Sequence, residues 1–457
     1  MRRSAKANRF VKAGLRGQPS FAATQMRILT ACVALIWFFG GLTQLQVSLF
    51  GEVYLYSVHV KIFLLAVISM FTVLQLGTSK FRFYPGTRDL RVAYSIWLVY
   101  SIIAVAVIGY RFEYGVEYIA FSANALFYFC ALIVFLLVLP CDDRRLRKKR
   151  WVVDQHWYNR YLVIVALAAP ILVLGVAQYL LDDPVFRIEA YDEYLRVISV
   201  SFVGGGTRAF SIFTSGWAFG DFAIGMVLLG LVVSVSREVA VKIRVLSLLV
   251  FGLGLASVFA TLTRMVYLEC AAALIGVCLI RGGVNARAVV LSAAGCAVVS
   301  TLGVTVILDA VGYRTGDLLD SSSLDARLSS WQHVTSMLGD GGSSILNWLF
   351  GVGLIANDRY PLTRGLRVDN LYLGLILYTG LVGLVVTAAF FVSLFRIAVR
   401  EAQEAGDPLW VAMASFLFAV PTAGIWNVQL NTPFLMVVLI WAMSPPLHTR
   451  WARDLRA

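Results

Sequence analysis

The chain has 457 residues, 59% of them hydrophobic and only 14% charged, with a mean hydropathy of +0.78, which excludes an ordinary soluble domain. Its apolar runs are too long and continuous for barrel strands of about ten residues, and they fit about a dozen helical spans of about 20 residues each. The excess of 39 Lys and Arg over 26 Asp and Glu does not point to nucleic acid, because 28 of those 39 cations fall in one alternating set of loops and tails, 10 in the other set, and Lys61 within a span. That asymmetry is the positive-inside pattern, with contacts to anionic lipid headgroups.

The expected fold is therefore an all-α polytopic membrane protein of about 12 transmembrane helices with both termini cytoplasmic. A basic tail, 1–27, reads as retained rather than cleaved, because a full span follows it directly. A single transmembrane domain, 28–444, begins with spans near 28–49, 56–76, 92–110 and 118–139. The stretch CDDRRLRKKRWVVDQHWYNR, the most basic in the chain, fixes its side as cytoplasmic. A span near 161–180 leads into an outside loop, 181–216. The first part of that loop, with Asp182, Asp183, Glu189, Asp192 and Glu193, suits a short surface helix, while VGGGTRAFSIFTSG combines permissive glycines with Arg208 and flanking hydroxyls. Spans near 217–235, 245–262 and 265–280 follow, the last two meeting in a tight turn, ATLTRMVYLE, that puts Arg264 at the outer boundary. A span near 288–308 delivers the long outside loop 309–370. Spans near 371–395, 409–425 and 431–444 complete the domain, with Pro421 and Pro433 in the final pair, before the basic tail 445–457. The six cysteines fall in spans or at cytoplasmic edges, with no zinc-like spacing and no disulfide expected.

Polar groups are concentrated on the outer side. An arginine costs about 2.5–3.5 kcal/mol at the centre of a membrane helix and less near an interface, so Arg264 either snorkels at a helix end or serves a ligand. Glu269, five residues on, does not face it along a helix. Arg208 is either solvated or part of the same cationic surface, to which the long loop adds Arg314, Arg327, Arg359, Arg364 and Arg367. Guanidinium is always charged and bonds two oxygens at once, which suits a pyrophosphate held at the lipid surface.

Within the long loop, Leu324, Leu328, Trp331 and Leu338 recur at helical spacing behind Ser321 to Ser323, with Ser322 and Asp325 in capping-box-like positions. This spacing predicts an amphipathic helix at the outer interface, with Arg327 and His333 on its more polar faces. LNWLFGVGLI is too short to span and is expected to pack on the bundle, Gly351 and Gly353 allowing close approach. Asp369 and Asn370 stand at the start of the next helix, Asp369 as a cap, an orienter of Arg367 or a general base. Lys61, Asp221 and Glu269 are the expected buried charges.

The order TRAFSIFTSG, TLTR, RLSSWQHV, FGVGL, VDNLYLGLILYTGLVGL resembles the superfamily of Wzy-type O-antigen polymerases and O-antigen ligases, integral-membrane glycosyltransferases, from about Gly204 to Leu384. The N-terminal third matches only in being polytopic. The resemblance implies a GT-C-like fold in the bacterial inner membrane, with the large loop periplasmic between helices 9 and 10. It matches Arg208 and Arg264 to arginines that engage the pyrophosphate of an undecaprenyl-linked glycan, and Arg327 to the arginine of an R-x-x-x-W block that here ends in Trp331. Ligases carry His-Asn before the following helix; this chain has Asp369-Asn370, which leaves the base open between Asp369 and His333.

The implied activity is polymerisation of lipid-linked repeat units without metal or other cofactor. Arg327, Arg364 and Arg367 would position donor or acceptor alongside Trp331, Asn370 and Tyr372. Trp217, Trp331, Trp348 and Tyr372 suit either sugar stacking or an aromatic belt. Implied partners are the undecaprenyl-pyrophosphate-linked donor and acceptor, membrane lipid and a chain-length regulator, with no nucleic acid. The alternatives are a ligase acting on a lipid A core or another acceptor, and a polysaccharide or lipid transporter or flippase.

Overall fold

A computed structural model describes residues 88–111, 155–183, 185, 202–203, 206–213, 216–236, 239–285, 287–296, 321–339, 344–352, 370–405 and 408–424. The spans expected before residue 88, that near 118–139 and that near 431–444, together with Lys61 and both tails, lie outside these residues. The described helices are α1 (Arg88–Arg111), α2 (Gln155–Leu181), α3 (Gly216–Ser234), α4 (Val241–Ala260), α5 (Arg264–Arg281), α6 (Arg287–Cys296), α7 (Ser321–Gly339), α8 (Ser344–Phe350), α9 (Leu371–Ala405) and α10 (Pro408–Gly424). A short antiparallel ladder, β1 (Phe202–Val203) with β2 (Gly206–Thr207), precedes α3.

Five of these helices, α1, α2, α3, α4 and α9, are long and apolar enough to cross a membrane. The described part is almost entirely helical, as befits an α-helical membrane protein. With no water in the hydrocarbon, a helix satisfies its own backbone groups, so apolar runs of this length become helices.

Helix α3 is the central post. Apart from Asp221 it is apolar on every side, and 89% of its membrane window is buried, against 28% for α1 and 33% for α4. Lipid tails are as apolar as side chains, so close backbone approach rather than apolar burial joins these helices. Gly220 admits Val266 of α5, Gly254 admits Val227 of α3, and a Cβ on Gly230 would stand 2.6 Å from the Phe251 backbone nitrogen. Gly276 of α5 likewise admits Ser415 and Phe418 of α10. Outward, α1 and α4 expose Val92, Ile96, Val99, Ile103, Val245, Leu248 and Leu249, the surface a lipid-facing helix presents.

Two contacts fix the directions of the bundle. Gly220 meets Val266 near one end of α3 and α5, and the Arg281 guanidinium donates to the Val232 carbonyl at 3.2 Å near the other, so the two helices run parallel. The Gln403 amide donates to the Val284 carbonyl at 2.6 Å, bringing the end of α9 to the Arg281 end. The start of α9 therefore lies at the Arg264 end, where Leu371 fits against Gly424, and α10 runs antiparallel to α5.

Two details differ from expectation. Helix α7 already includes Ser321, so Ser322 and Asp325 lie inside it rather than at its cap. The helix expected near 371–395 runs to Ala405 and is broken at Gly380, whose φ of 70° and ψ of −178° no helix contains. The cause is α8. Gly351, at φ 79°, lies so close that a Cβ there would stand 2.7 Å from the Gly380 nitrogen. Carbonyls at the break are satisfied from outside the helix: the Val352 N–H donates to the Leu377 oxygen at 2.7 Å, and the Tyr100 hydroxyl donates to the Thr379 oxygen. Val334 and Leu338 of α7 complete this second apolar cluster with Val352, Leu377 and Tyr378.

Candidate functional site

The segment after β2 carries Arg208 and is fixed from two sides. The Ala209 N–H donates to the Ala260 carbonyl at 3.0 Å, tying the segment to the last turn of α4. Gln178, fully buried in α2, accepts from the Phe210 N–H at 3.0 Å and the Ser211 N–H at 2.7 Å, and donates back to the Ser211 carbonyl at 3.2 Å. The Ser211 hydroxyl donates to the Ile171 carbonyl at 2.6 Å. Ser211 itself sits at φ 51°, a left-handed conformation that non-glycine residues adopt at a cost, here held by three hydrogen bonds.

The hairpin between α4 and α5 is equally tight. The Thr261 hydroxyl donates to the Val258 carbonyl at 2.7 Å, the Thr263 hydroxyl donates to the Thr261 carbonyl at 2.8 Å, and Leu262 takes φ 47°. Gly216 at the head of α3 fits against Ala209, Thr261 and Thr263. Arg264 is the first residue of α5. Thr263 makes no side-chain cap there, because its hydroxyl is turned to the Thr261 carbonyl. A cationic residue at a helix N-terminus opposes the helix dipole, whereas an anion is favoured there.

Arg208, half-buried, lies within electrostatic reach of the Tyr267 hydroxyl. Tyr267 donates to the Phe259 carbonyl at 2.8 Å and stacks on Phe259 at 6.4 Å between centroids, and Phe259 meets Tyr179 edge-on at 5.7 Å. The positions of Arg208 and Arg264 are thus brought to one hairpin end, which also carries these aromatic rings.

The remaining expected residues divide. Trp331 is half-buried and His333 exposed on α7, whose buried face is Val334 and Leu338, so His333 occupies the outward side. Helix α7 carries Arg327 and joins the Arg264 end through α8 and the first half of α9. Asn370 is buried, and its Oδ1 accepts the Leu373 N–H at 3.0 Å, the bond of a helix N-cap. Tyr372 donates its hydroxyl to the Pro421 carbonyl at 2.8 Å. Both therefore have structural partners. Arg364, Arg367 and Asp369 lie outside the described residues, as do Arg314 and Arg359.

Two features go beyond the sequence reading. Gln178, the latch of the Arg208 segment, carries only the weak signal of an amide inside an apolar run. Asp221 of α3 and Glu269 of α5 are legible as buried charges, at 1% and 2% exposure, but their mutual hydrogen bond depends on helix register. Compared with known proteins, the chain matches no family model and no curated protein.

Proposed function

We propose that the protein is a membrane glycosyltransferase that polymerises undecaprenyl-pyrophosphate-linked oligosaccharide repeat units for an O-antigen, capsule or exopolysaccharide. In this reading the whole chain has about 12 spans with both termini cytoplasmic, and its site faces the periplasm from the bacterial inner membrane. The observation that carries it is the fixed Arg208 segment on the hairpin that opens with Arg264. Two guanidinium-bearing positions and a helix start without a side-chain cap meet at one end of an apolar bundle, as a lipid-linked pyrophosphate requires.

The chemistry is a displacement at the anomeric carbon. A hydroxyl of the incoming repeat unit attacks, the bond to the pyrophosphate oxygen breaks, and undecaprenyl pyrophosphate leaves. Arg208 and Arg264 stabilise the charge that develops on the leaving group, the term that usually dominates such catalysis. Asp369 or His333 takes the hydroxyl proton, with His333 on the open side of α7. Arg327, Arg364 and Arg367 orient the glycans, which exploits proximity rather than new chemistry.

The test is incubation of purified protein in nanodiscs with the lipid-linked repeat unit, following the product ladder. A ladder in repeat-unit steps that Arg264→Ala abolishes, with the variant still folded, is the expected outcome; an unchanged ladder in that variant refutes the assignment of Arg264. Transfer only when a lipid A core is supplied would make the enzyme a ligase. One observation favours a transporter instead: α9 is broken at Gly380, and broken helices line the sites of many transporters. Substrate movement without bond cleavage in proteoliposomes would establish that reading.

A further inference from the structure

Asp221 and Glu269 hydrogen-bond through their carboxyl groups, inside the bundle and away from solvent. Ionised carboxylates only accept, so this bond requires at least one proton, and with a single shared proton the pair carries one net negative charge. One oxygen of each, Asp221 Oδ2 and Glu269 Oε1, is buried with no hydrogen-bond partner, and so is the Thr422 hydroxyl of α10, on a residue 1% exposed.

Register brings Thr422 to the pair. Gly276 of α5 faces Ser415 of α10, and the two helices are antiparallel. From Gly276 back to Glu269 is two turns on the same face of α5, and from Ser415 on to Thr422 is two turns on the same face of α10. Both steps run toward the Arg264 end. On the third side, Gly220 of α3, beside Asp221, faces Val266, one turn from Glu269. Register thus places Asp221, Glu269 and Thr422, each with an unpartnered buried oxygen, near one level of three packed helices.

A buried charge without compensation is costly, and the charged residues on the described elements packed against the pair stand toward the two ends of the bundle, Arg208 and Arg264 at one end. Helix α10 has no charged residue, and Asp221 is the one charge of α3. Cys270 lies beside Glu269 on α5, with Tyr267 and Arg264 further toward the helix start. Lys242 and Arg244 of α4, Arg281 of α5, and Arg396, Arg400 and Glu401 of α9 stand toward the opposite end. Among the described residues no three His, Cys, Asp or Glu groups converge as a divalent metal would prefer. One negative charge and hard oxygen donors match a single positive charge.

We propose that Asp221, Glu269 and Thr422 form an intramembrane binding site for a monovalent cation, either Na+ or a second proton. Either occupant neutralises the pair; Na+ would be coordinated by all three oxygens, whereas a second proton would sit on one carboxyl oxygen and donate a single hydrogen bond. The site lies beneath the Arg208 and Arg264 hairpin but does not depend on the glycosyltransferase reading.

The test measures thermal unfolding of the purified full-length protein in detergent, in NaCl and in choline chloride of equal ionic strength, across pH 5 to 8. A ligand that binds only the folded state raises Tm with its concentration. A higher Tm in Na+ than in choline identifies sodium. A Tm without sodium preference that rises as pH falls identifies the proton, because the folded pair then binds more protons than the unfolded chain. Either response must be lost in the near-isosteric double variant Asp221→Asn/Glu269→Gln; a variant that responds to both conditions as the wild type does overturns the site. Two further measurements hold if that variant fails to fold. Thr422→Val keeps the carboxyl pair and should weaken the Tm response at least several-fold, an unchanged response counting against the proposal. In choline buffer the wild type should show the infrared band of a buried protonated carboxyl, and its absence refutes the shared proton on which the site rests.

Discussion

Replacing Gly380 by alanine tests the break in α9. The backbone there, φ 70° and ψ −178°, belongs to a region essentially closed to side chains, and forcing alanine into it costs about 1–3 kcal/mol. The added methyl would also collide with the Leu349 carbonyl group and the Phe350 nitrogen of α8. These are backbone atoms that no rotamer change moves aside, and overpacking of this kind costs a further ~1–3 kcal/mol. Gly380→Ala should therefore lower stability by at least about 2 kcal/mol, expressed as displacement of α8 from α9. Unfolding of the purified protein by a denaturing detergent, followed by tryptophan fluorescence, reads the loss, and Trp348 lies in the element that would move. Gly252→Ala is the matched control, since a Cβ at Gly252 meets nothing within 4 Å and should leave stability unchanged or slightly raised. A Gly380→Ala protein within about 0.5 kcal/mol of wild type would show that α9 passes this point as a continuous helix, and the packing argument for the break would fail.

Gln178→Leu removes three hydrogen bonds to the backbone of Phe210 and Ser211, each worth about 1 kcal/mol net. A loss of roughly 3 kcal/mol in the same unfolding experiment is expected, with proteolytic cleavage near Arg208 rising in step; stability within about 1 kcal/mol of wild type would mean the latch does not hold. Asn370→Ala should cost about 1 kcal/mol through loss of the Leu373 cap, and Asn370→Ser should restore most of it. If Asn370 only caps the helix, polymer synthesis recovers in Asn370→Ser along with stability; stability recovered without activity would make Asn370 a substrate contact.

The hairpin between α4 and α5 is legible because Thr, Leu, Thr and Arg interrupt two apolar runs with no room for a loop. Helix α7 is legible from its spaced apolar residues, although its start is not, since a run of three serines offers several equivalent caps. Asp221 and Glu269 stand out as acids within spans, yet which acid meets which is decided by register, and Gly220 against Val266 sets that register only once two helices have packed. Gln178 and Ser211 illustrate the same limit: amide and hydroxyl are visible, but their pairing bridges α2 and the Arg208 segment. The Gly380 break is the clearest omission. Glycine is common in membrane helices, so GLILYTGLVGL reads as continuous, and what opens it is α8, a segment from earlier in the chain pressing Gly351 against it.

The burial of α3 bears on how the protein is made. This helix leaves the ribosome before α4, α5 and α10, the elements that cover it, and it carries Asp221 before Glu269 exists. For that interval Asp221 has neither the partner nor the dry interior it finally occupies, and an ionised carboxyl in hydrocarbon is among the least favoured states a nascent span can hold. The last-made described helix, α10, packs against both α3 and α5, so chains that stop short of Pro408 leave those faces of the two helices uncovered.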